Sequence, residues 1–331
     1  MTAIPGGVRH AANPHGPVLG LSHRLLGRFH VTGVFWYKFP FWAATRLPSW
    51  VQGISVVVFT AVFFCALGRI RRAVWRNLDP VLGASNVWTR NRRSLRTMYE
   101  FARCLNERYI GVSEPERLRF VLDGEEHWQE VLASGAGVIL VTAHIGPWES
   151  ASWFGASAAG RRVHVVREKE SNPEAQAFIH QMLSGGGEDY VTHFAGEDMA
   201  LGIVLAEALK RGDIVALQGD RPRSGGRSLE TTFFGRTMSL PSGPSALARA
   251  TGALIVPVFN FREGPLLVRS VVRPAIHVPR TSNREADIAD AVGQLALNIE
   301  WAIRSRPHQW FCFRQLWDSQ KPAPSSFLRA S

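Results

Sequence analysis

From residue 137 onward, short apolar runs alternate with longer stretches whose apolar positions recur every three or four residues. The runs GVILVTA (137–143), RVHVVR (162–167), DIVALQ (213–218), ALIVPVF (253–259) and LLVRSV (266–271) predict strands. Between and after them, 147–158, 173–184, 197–211, 242–251 and 285–305 predict helices. Such alternation predicts an α/β fold with a central, mostly parallel sheet flanked by helices. Individual boundaries have local causes: in PSGPSALARATGALIVPVF a helix starts near Ser242 and Pro244, stops at Gly252 and runs into a buried strand.

Upstream the pattern is helical. Residues 113–137 read as one helix, capped at Ser113 with Glu116 three residues on and ended by glycines. Residues 69–109 also read as helical, with Trp75, Leu78, Trp88, Leu95, Met98 and Phe101 as the apolar positions. Before them, 51–67 is apolar except for Gln52, Ser55 and Thr60. As a helix it reaches roughly 25 Å, a little short of the roughly 30 Å hydrocarbon core of a bilayer, so it predicts a short span or an anchor that dips in. A buried core helix is the alternative. Residues 1–20 are rich in Gly and Pro with no apolar core of a signal peptide. The expected organisation is a disordered leader (1–30), a membrane-associated helical region (31–109) with its hydrophobic anchor helix, one main domain (110–318) and a disordered tail (319–331).

Charge sharpens the picture of the N-terminal third. A net charge of +11 over 331 residues favours polyanionic partners: nucleic acid, an acidic carrier protein or an anionic membrane surface. Segment 34–50 mixes Phe35, Trp36, Tyr37, Phe39, Phe41, Trp42 and Trp50 with Lys38 and Arg46, a composition suited to the headgroup boundary. Arg69, Arg71, Arg72 and Arg76 follow the apolar run, each contributing about 1 kcal/mol beside an anionic leaflet. Basic residues also precede the run, so charge asymmetry does not decide between crossing and dipping. No nucleic-acid-binding signature is present, which favours the membrane. The three cysteines, Cys65, Cys104 and Cys312, are scattered and show neither disulfide nor metal spacing, as expected of a reducing compartment.

Candidate chemistry begins at VTAHIGPWES (141–150), where an apolar run ends on His144, turns through Gly146 and Pro147, and places Glu149 five residues on. On a continuous helix five residues leave two side chains roughly 140° apart, which argues against a shared helical zinc site. In a bent turn, Glu149 can hold one imidazole nitrogen while the other takes a substrate proton. A satisfied structural histidine is the plain alternative. No G-x-S-x-G elbow or suggestively placed cysteine supplies a nucleophile, so the substrate's own hydroxyl would be activated, without a covalent intermediate.

A second cluster follows strand 213–218. Asp220 and Arg221 sit in a strand-end loop with Arg223, Arg236 and glycines, where α/β sheets hold ligands. Phe233 and Phe234 can meet an apolar ligand or pack the core, and the helix start at Ser242 offers backbone N–H groups to an anion. The arginines can equally form a solvated basic loop. Arg167, ending strand 162–167, is either a ligand contact or a surface partner of Glu168 or Glu170. RPHQWFCFRQLW (306–317) reads as a last core strand or an interfacial aromatic strip.

In order, HIGPWE, GDRP…TTFFGRTMSLPSGPSALARATGALIVPVF and RPHQWFCFRQLW, behind an apolar helix, resemble the bacterial late lipid A lauroyl/myristoyl acyltransferases over roughly 34–318. These form a branch of the glycerophosphate/lysophospholipid acyltransferase superfamily, and phosphatidylinositol mannoside acyltransferase is similar to the same pattern. The resemblance implies His144 as general base with Glu149 as its partner in an H-x4-E motif. It further implies Arg167 as a substrate contact and Asp220 with Arg221 lining the acceptor or donor groove. It implies transfer of a fatty acyl group from acyl-carrier protein or coenzyme A to a hydroxyl of a membrane lipid or glycolipid, such as a lipid A precursor. The setting implied is the cytoplasmic face of the bacterial inner membrane, with no metal or prosthetic group. Pro147 stands where the family commonly has a polar residue. An acyl-thioester hydrolase and a non-catalytic basic membrane-binding protein are the competing readings.

Overall fold

The strand Val138–Thr142 (β2) is buried along its whole length, and the sheet is built around it. In the computed structural model, residues 35–149, 160–169, 172–183, 190–195, 200–222 and 226–317 are described. On one side β2 pairs in parallel with Ile214–Gln218 (β5), on the other with Leu254–Gly264 (β8). Val163–Glu168 (β3) and Tyr190–Ala195 (β4), with the helix Pro173–Leu183 (α6) between them in the chain, extend the β5 side in parallel. On the β8 side, Leu267–Val272 (β9) pairs antiparallel and Arg119–Asp123 (β1) closes the edge parallel to it. The order is thus β1-β9-β8-β2-β5-β3-β4, a mostly parallel sheet flanked by helices.

Strand alternation splits the core into two layers. Ile139, Val141, Val215 and Ile255 face the helices Leu201–Lys210 (α7), Gly243–Thr251 (α8) and Arg284–Ser305 (α9). Val138, Leu140, Ile214 and Val256 face Trp128 of Glu125–Ala133 (α5). Helix α9 starts where Asn283 accepts a hydrogen bond from Ala286 N. Its buried residues Ile288, Ala291, Val292, Leu295, Ile299 and Ile303 recur at helical spacing and serve two core clusters at once.

The N-terminal helices are Phe35–Arg46 (α1), Ser49–Ala66 (α2), Gly68–Leu82 (α3) and Val87–Ser113 (α4). Helix α2 is long and apolar enough to cross a membrane by length and composition, and only 17% of it is buried against the rest of the protein. It lies against α4: Asn106 donates to Gln52, and Gln52 in turn donates to the carbonyls of Ala44 and Leu47. The helical stretch expected over 69–109 is divided between α3 and α4, with a break at Gly83 (φ 79°) and a restart capped by Asn86.

Residues 113–137 do not form one helix. Ser113 ends α4, its hydroxyl donating back to Tyr109 O, and is not an N-cap. RFVLD becomes β1 because β9 offers a free parallel edge, and Gly124 (φ 78°) opens α5, where a Cβ would sit 2.1 Å from Val272 O. Three other strands went unpredicted: β4 and the hairpin Ser228–Phe233 (β6) with Arg236–Pro241 (β7). The expected strand or strip at 306–317 is neither; it is a 3-10 turn, Pro307–Gln309 (between α9 and the end of the described chain), followed by buried irregular backbone. Asn77 on α3 explains that course by donating to the carbonyls of Cys312 and Arg314 and accepting from Leu316 N. Helix 147–158 and the segments 1–30 and 319–331 fall outside the described residues, apart from 147–149, which form a turn.

Candidate active site

β2 and β5 pair with a constant offset, Val138 opposite Ile214 through Thr142 opposite Gln218, and Gly219 N bonds Thr142 O at 2.8 Å. Continuing that register two residues past the strand ends puts His144 beside Asp220. Their side chains meet: His144 Nδ1 lies 2.7 Å from Asp220 Oδ1. The carboxylate is fully buried, and its Oδ2 accepts a second hydrogen bond from Trp310 Nε1 at 3.0 Å. On the other side of the ring, Arg221 donates to His144 Nε2 at 2.6 Å. With a donor on Nε2, the proton sits on Nδ1 and points at Asp220, which fixes the tautomer. Burial pushes the Asp220 carboxyl up, but His144, Arg221 and the indole N–H outweigh it and hold the group well below the usual carboxylate range.

The turn after His144 is held from two sides. Gly146 has φ 53°, and a Cβ there would lie 2.1 Å from Asn260 O on β8, so only glycine fits. Gly146 N donates to Gln309 O, Phe311 N donates to His144 O, and Ile145 bridges Trp310. The C-terminal segment thereby places Trp310 on Asp220.

Among the described residues Glu149 makes no hydrogen bond to His144. Its carboxylate sits between two guanidinium groups, Arg167 from β3 at 2.7 Å and Arg108 from α4. Desolvation pushes its carboxyl up, while Arg108, Arg167 and, more weakly, His144 pull it down further, so the group stays ionised. The physical reason is position: β5 delivers a fully buried carboxylate in register with His144, whereas Glu149 lies past the Gly-Pro turn, facing α4 and β3.

The remaining candidates are dispersed. Phe233 and Phe234 are buried in the core: they pack on each other at 4.8 Å and on Trp317 at 5.8 and 6.5 Å. Phe234 N also donates to Glu300 on α9, which locks the hairpin turn. Arg236 is exposed at the start of β7, 5.9 Å from the Trp317 ring. Ser242 is buried at the start of α8 and makes no side-chain cap; its backbone N–H is taken by Arg227 O. Arg223 lies outside the described residues.

Sequence reasoning missed Trp310, Arg108 and Asn260 as parts of the site. It also missed an apolar cavity of about 330 Å³ between α1, α2, α4 and Phe313, lined by Phe39, Phe59, Phe63, Met98 and Phe101. A smaller one of about 60 Å³ shares Phe101 and Leu105 with it and reaches Pro147, Trp148 and Glu149. Trp148 is 5.7 Å from the His144 ring, so the apolar lining begins beside the imidazole. Cys312, near Asp220, is buried and its thiol is pushed up to about 11, mainly by burial. Among the described residues no cluster of three or more His, Cys, Asp or Glu side chains is placed to hold a metal.

The family profile described as bacterial lipid A biosynthesis acyltransferase matches residues 29–319. The phosphatidylinositol mannoside acyltransferase of Mycobacterium tuberculosis is 28% identical over 199 residues, covering 60% of this chain and 60% of that protein. Its namesake in Mycolicibacterium smegmatis is 27% identical over 199 residues, covering 60% of this chain and 62% of that protein. The matched region thus spans about 60% of the length of these curated relatives.

Proposed function

This chain belongs to the bacterial lipid A biosynthesis acyltransferase family, and from that premise we propose that it is a membrane-associated O-acyltransferase. It would move a fatty acyl chain from an acyl thioester, carried by acyl-carrier protein or coenzyme A, to a hydroxyl of a membrane lipid or glycolipid. The observation that carries this reading is the His144–Asp220 hydrogen bond at the carboxyl ends of adjacent parallel strands, beside an apolar cavity. His144 Nε2 takes the acceptor proton, Asp220 stabilises the imidazolium, and the acceptor oxygen attacks the thioester carbonyl. Such general-base help contributes roughly 10² to 10⁴-fold. A Cys312 thiol pushed up to about 11 is not a ready nucleophile at neutral pH, which supports direct transfer without an acyl-enzyme.

The 330 Å³ cavity falls within the roughly 300–1,000 Å³ range of ligand sites, and its apolar lining suits an acyl chain. Buried methylenes would supply affinity at about 0.8 kcal/mol each. Attachment falls to α1 and α2, whose outward aromatic and aliphatic residues, with the arginines of α3, suit an anionic leaflet. In a bacterium that surface is the cytoplasmic face of the inner membrane. The acceptor is a glycolipid of the kind named for the relatives, a lipid A precursor or a phosphatidylinositol mannoside. The mechanism assigns no step to a metal or prosthetic group; the thioester is a co-substrate.

The test is mass spectrometry of lipids after detergent-solubilised wild type and His144→Ala are incubated with labelled acyl-carrier protein or acyl-coenzyme A and extracted bacterial lipids. A newly acylated lipid with wild type alone is expected. Free fatty acid as the sole labelled product would replace transfer by hydrolysis.

A further inference from the structure

Both nitrogens of the proposed base are occupied. Nδ1 is committed to Asp220, and Nε2, the nitrogen that must accept a proton, receives an N–H from Arg221 at 2.6 Å. The ring itself is only 12% exposed, and Arg221 takes the lone pair of Nε2. No hydroxyl or water can be deprotonated until Arg221 moves.

Other arginines near the site are held firmly. Arg262 makes three hydrogen bonds to Glu107, and Arg108 and Arg167 share Glu149. Arg221 differs: among the described residues its side chain makes only the hydrogen bond to the imidazole. The buried Asp220 carboxylate lies near enough to feel its charge, yet among the described residues no ion pair locks its geometry. The adjoining backbone is anchored independently, since Arg314 donates to Pro222 O. A side chain held by one hydrogen bond on an anchored backbone can leave and return.

We propose that Arg221 is a displaceable cap on His144, which an acceptor hydroxyl removes and which then moves to the thioester carbonyl oxygen. This rests on the reading of His144 as general base. In the resting protein the cap denies Nε2 to water, so a bound thioester is not hydrolysed. An acceptor hydroxyl seated at hydrogen-bond distance from Nε2 takes the place of the guanidinium, which stays tethered within a few ångströms through residue 221. The acceptor O–H proton passes to Nε2 as the new C–O bond forms, and the carbonyl electron pair becomes an oxyanion that accepts hydrogen bonds from Arg221. Collapse of the oxyanion breaks the C–S bond, and the departing thiolate takes the proton from Nε2. Arg221 then returns to the imidazole. An oxyanion donor of this kind is worth roughly 10² to 10³-fold in kcat.

Substrate-free chemical modification separates the cap from the chemistry. Diethyl pyrocarbonate reacts with an unprotonated imidazole nitrogen, and peptide mass spectrometry compares His144 with His127, a surface reference on α5, in the same sample. In Arg221→Met, His144 is expected to be modified about tenfold faster than in wild type, the scale of one charge-assisted hydrogen bond, with His127 unchanged. Equal His144 rates would overturn the cap. In the same variant kcat for transfer is expected to fall by roughly 10² to 10³-fold, the worth of the lost oxyanion donor, while KM for the donor stays within a few-fold. Unchanged kcat would also overturn it. If Arg221→Met does not fold, Arg221→Ala gives the same comparison. Full transfer activity in His144→Ala would instead remove the base assignment while leaving the modification rates as they are, so the two failures are distinguishable.

Discussion

His144 and Asp220 stand 76 residues apart in the chain and 2.7 Å apart in space, because β2 and β5 pair with that same offset from Val138–Ile214 to Thr142–Gln218. Each residue lies two positions beyond the last pair, so sheet register alone brings them together. Asp220→Asn preserves the shape of this contact and removes its charge. A neutral amide can also turn its NH2 to Nδ1 and favour the wrong tautomer. With general-base help worth roughly 10² to 10⁴-fold, kcat is expected to fall by about that factor with little change in KM. Glu149→Gln acts differently, because Glu149 neutralises Arg108 and Arg167. Leaving two partly buried cations without their counter-charge is expected to cost about 2–3 kcal/mol of stability, less than a fully buried pair. Thermal melts and single-turnover kinetics on the two variants check this. A Glu149→Gln enzyme with wild-type melting but the kcat of Asp220→Asn would restore Glu149 as the partner of the base.

Acid should weaken the fold through the same carboxylates. Asp220 and Glu149 both have folded-state values below their ordinary ones. The unfolded chain therefore binds protons first as pH falls, and the stabilisation is complete above the ordinary carboxylate value near 4 and lost progressively below it. Melting temperature is expected to drop as pH is lowered through that window. The drop should be shallower in Asp220→Asn and in Glu149→Gln than in wild type. Parallel wild-type and variant curves would show that these groups do not couple folding to protons.

Gly146 links the fold to the site more tightly than any side chain in the turn. A Cβ at this position would meet Asn260 O at 2.1 Å, and the backbone φ of 53° adds strain of its own. Gly146→Ala is expected to destabilise the protein by about 2–4 kcal/mol, the range for strain at a special backbone position combined with overpacking. Whatever folds should transfer slowly, since displacing residue 146 breaks its bond to Gln309 O and shifts His144 off Asp220. Chemical denaturation and activity on the same preparation measure both, and a variant as stable and active as wild type would show that the turn relaxes freely.

What the sequence disclosed follows from which forces are local. The runs at 137–143, 213–218 and 253–259 were readable because strands buried on both faces need continuous apolar residues, and α9 because one stripe of apolar positions recurs through it. β1 was hidden since RFVLD fits a helical period as well as a strand, and only pairing with β9 decides. β4, YVTHFA, carries Thr192 and His193 at the sheet edge and so lacks an apolar signature. In the site, His144 announced itself by ending an apolar run, but its partner did not. Glu149 was near in sequence, whereas Asp220 and Trp310 arrive through strand register and through the clamp of Asn77 on the C-terminal segment. Contacts between distant segments leave no periodic trace.

The outward face of α2 yields the last expectation. Trp50, Ile54, Val57, Val58 and Val62 are each more than half exposed and share one side of the helix, while Val56 and Thr60 are buried on the opposite side. That opposite side rests on α4, which brings Asn106 to Gln52 and also carries Glu100, Arg103 and Glu107. Taking α2 through a bilayer while docked this way would drag charged groups into hydrocarbon, at about 2.5–3.5 kcal/mol for each charge at its centre. Shallow insertion of the exposed face avoids that cost and keeps the arginines of α3 near the headgroups. The triple variant Trp50→Ser, Ile54→Ser, Val58→Ser should melt like wild type, because the replaced side chains touch little protein. It should nevertheless lose flotation with vesicles containing anionic lipid. Wild-type flotation should weaken from 0.1 to 1 M salt as the screening length falls from about 10 to about 3 Å. Undiminished flotation of the triple variant would move the attachment away from α2, and flotation insensitive to salt would remove the arginines from it.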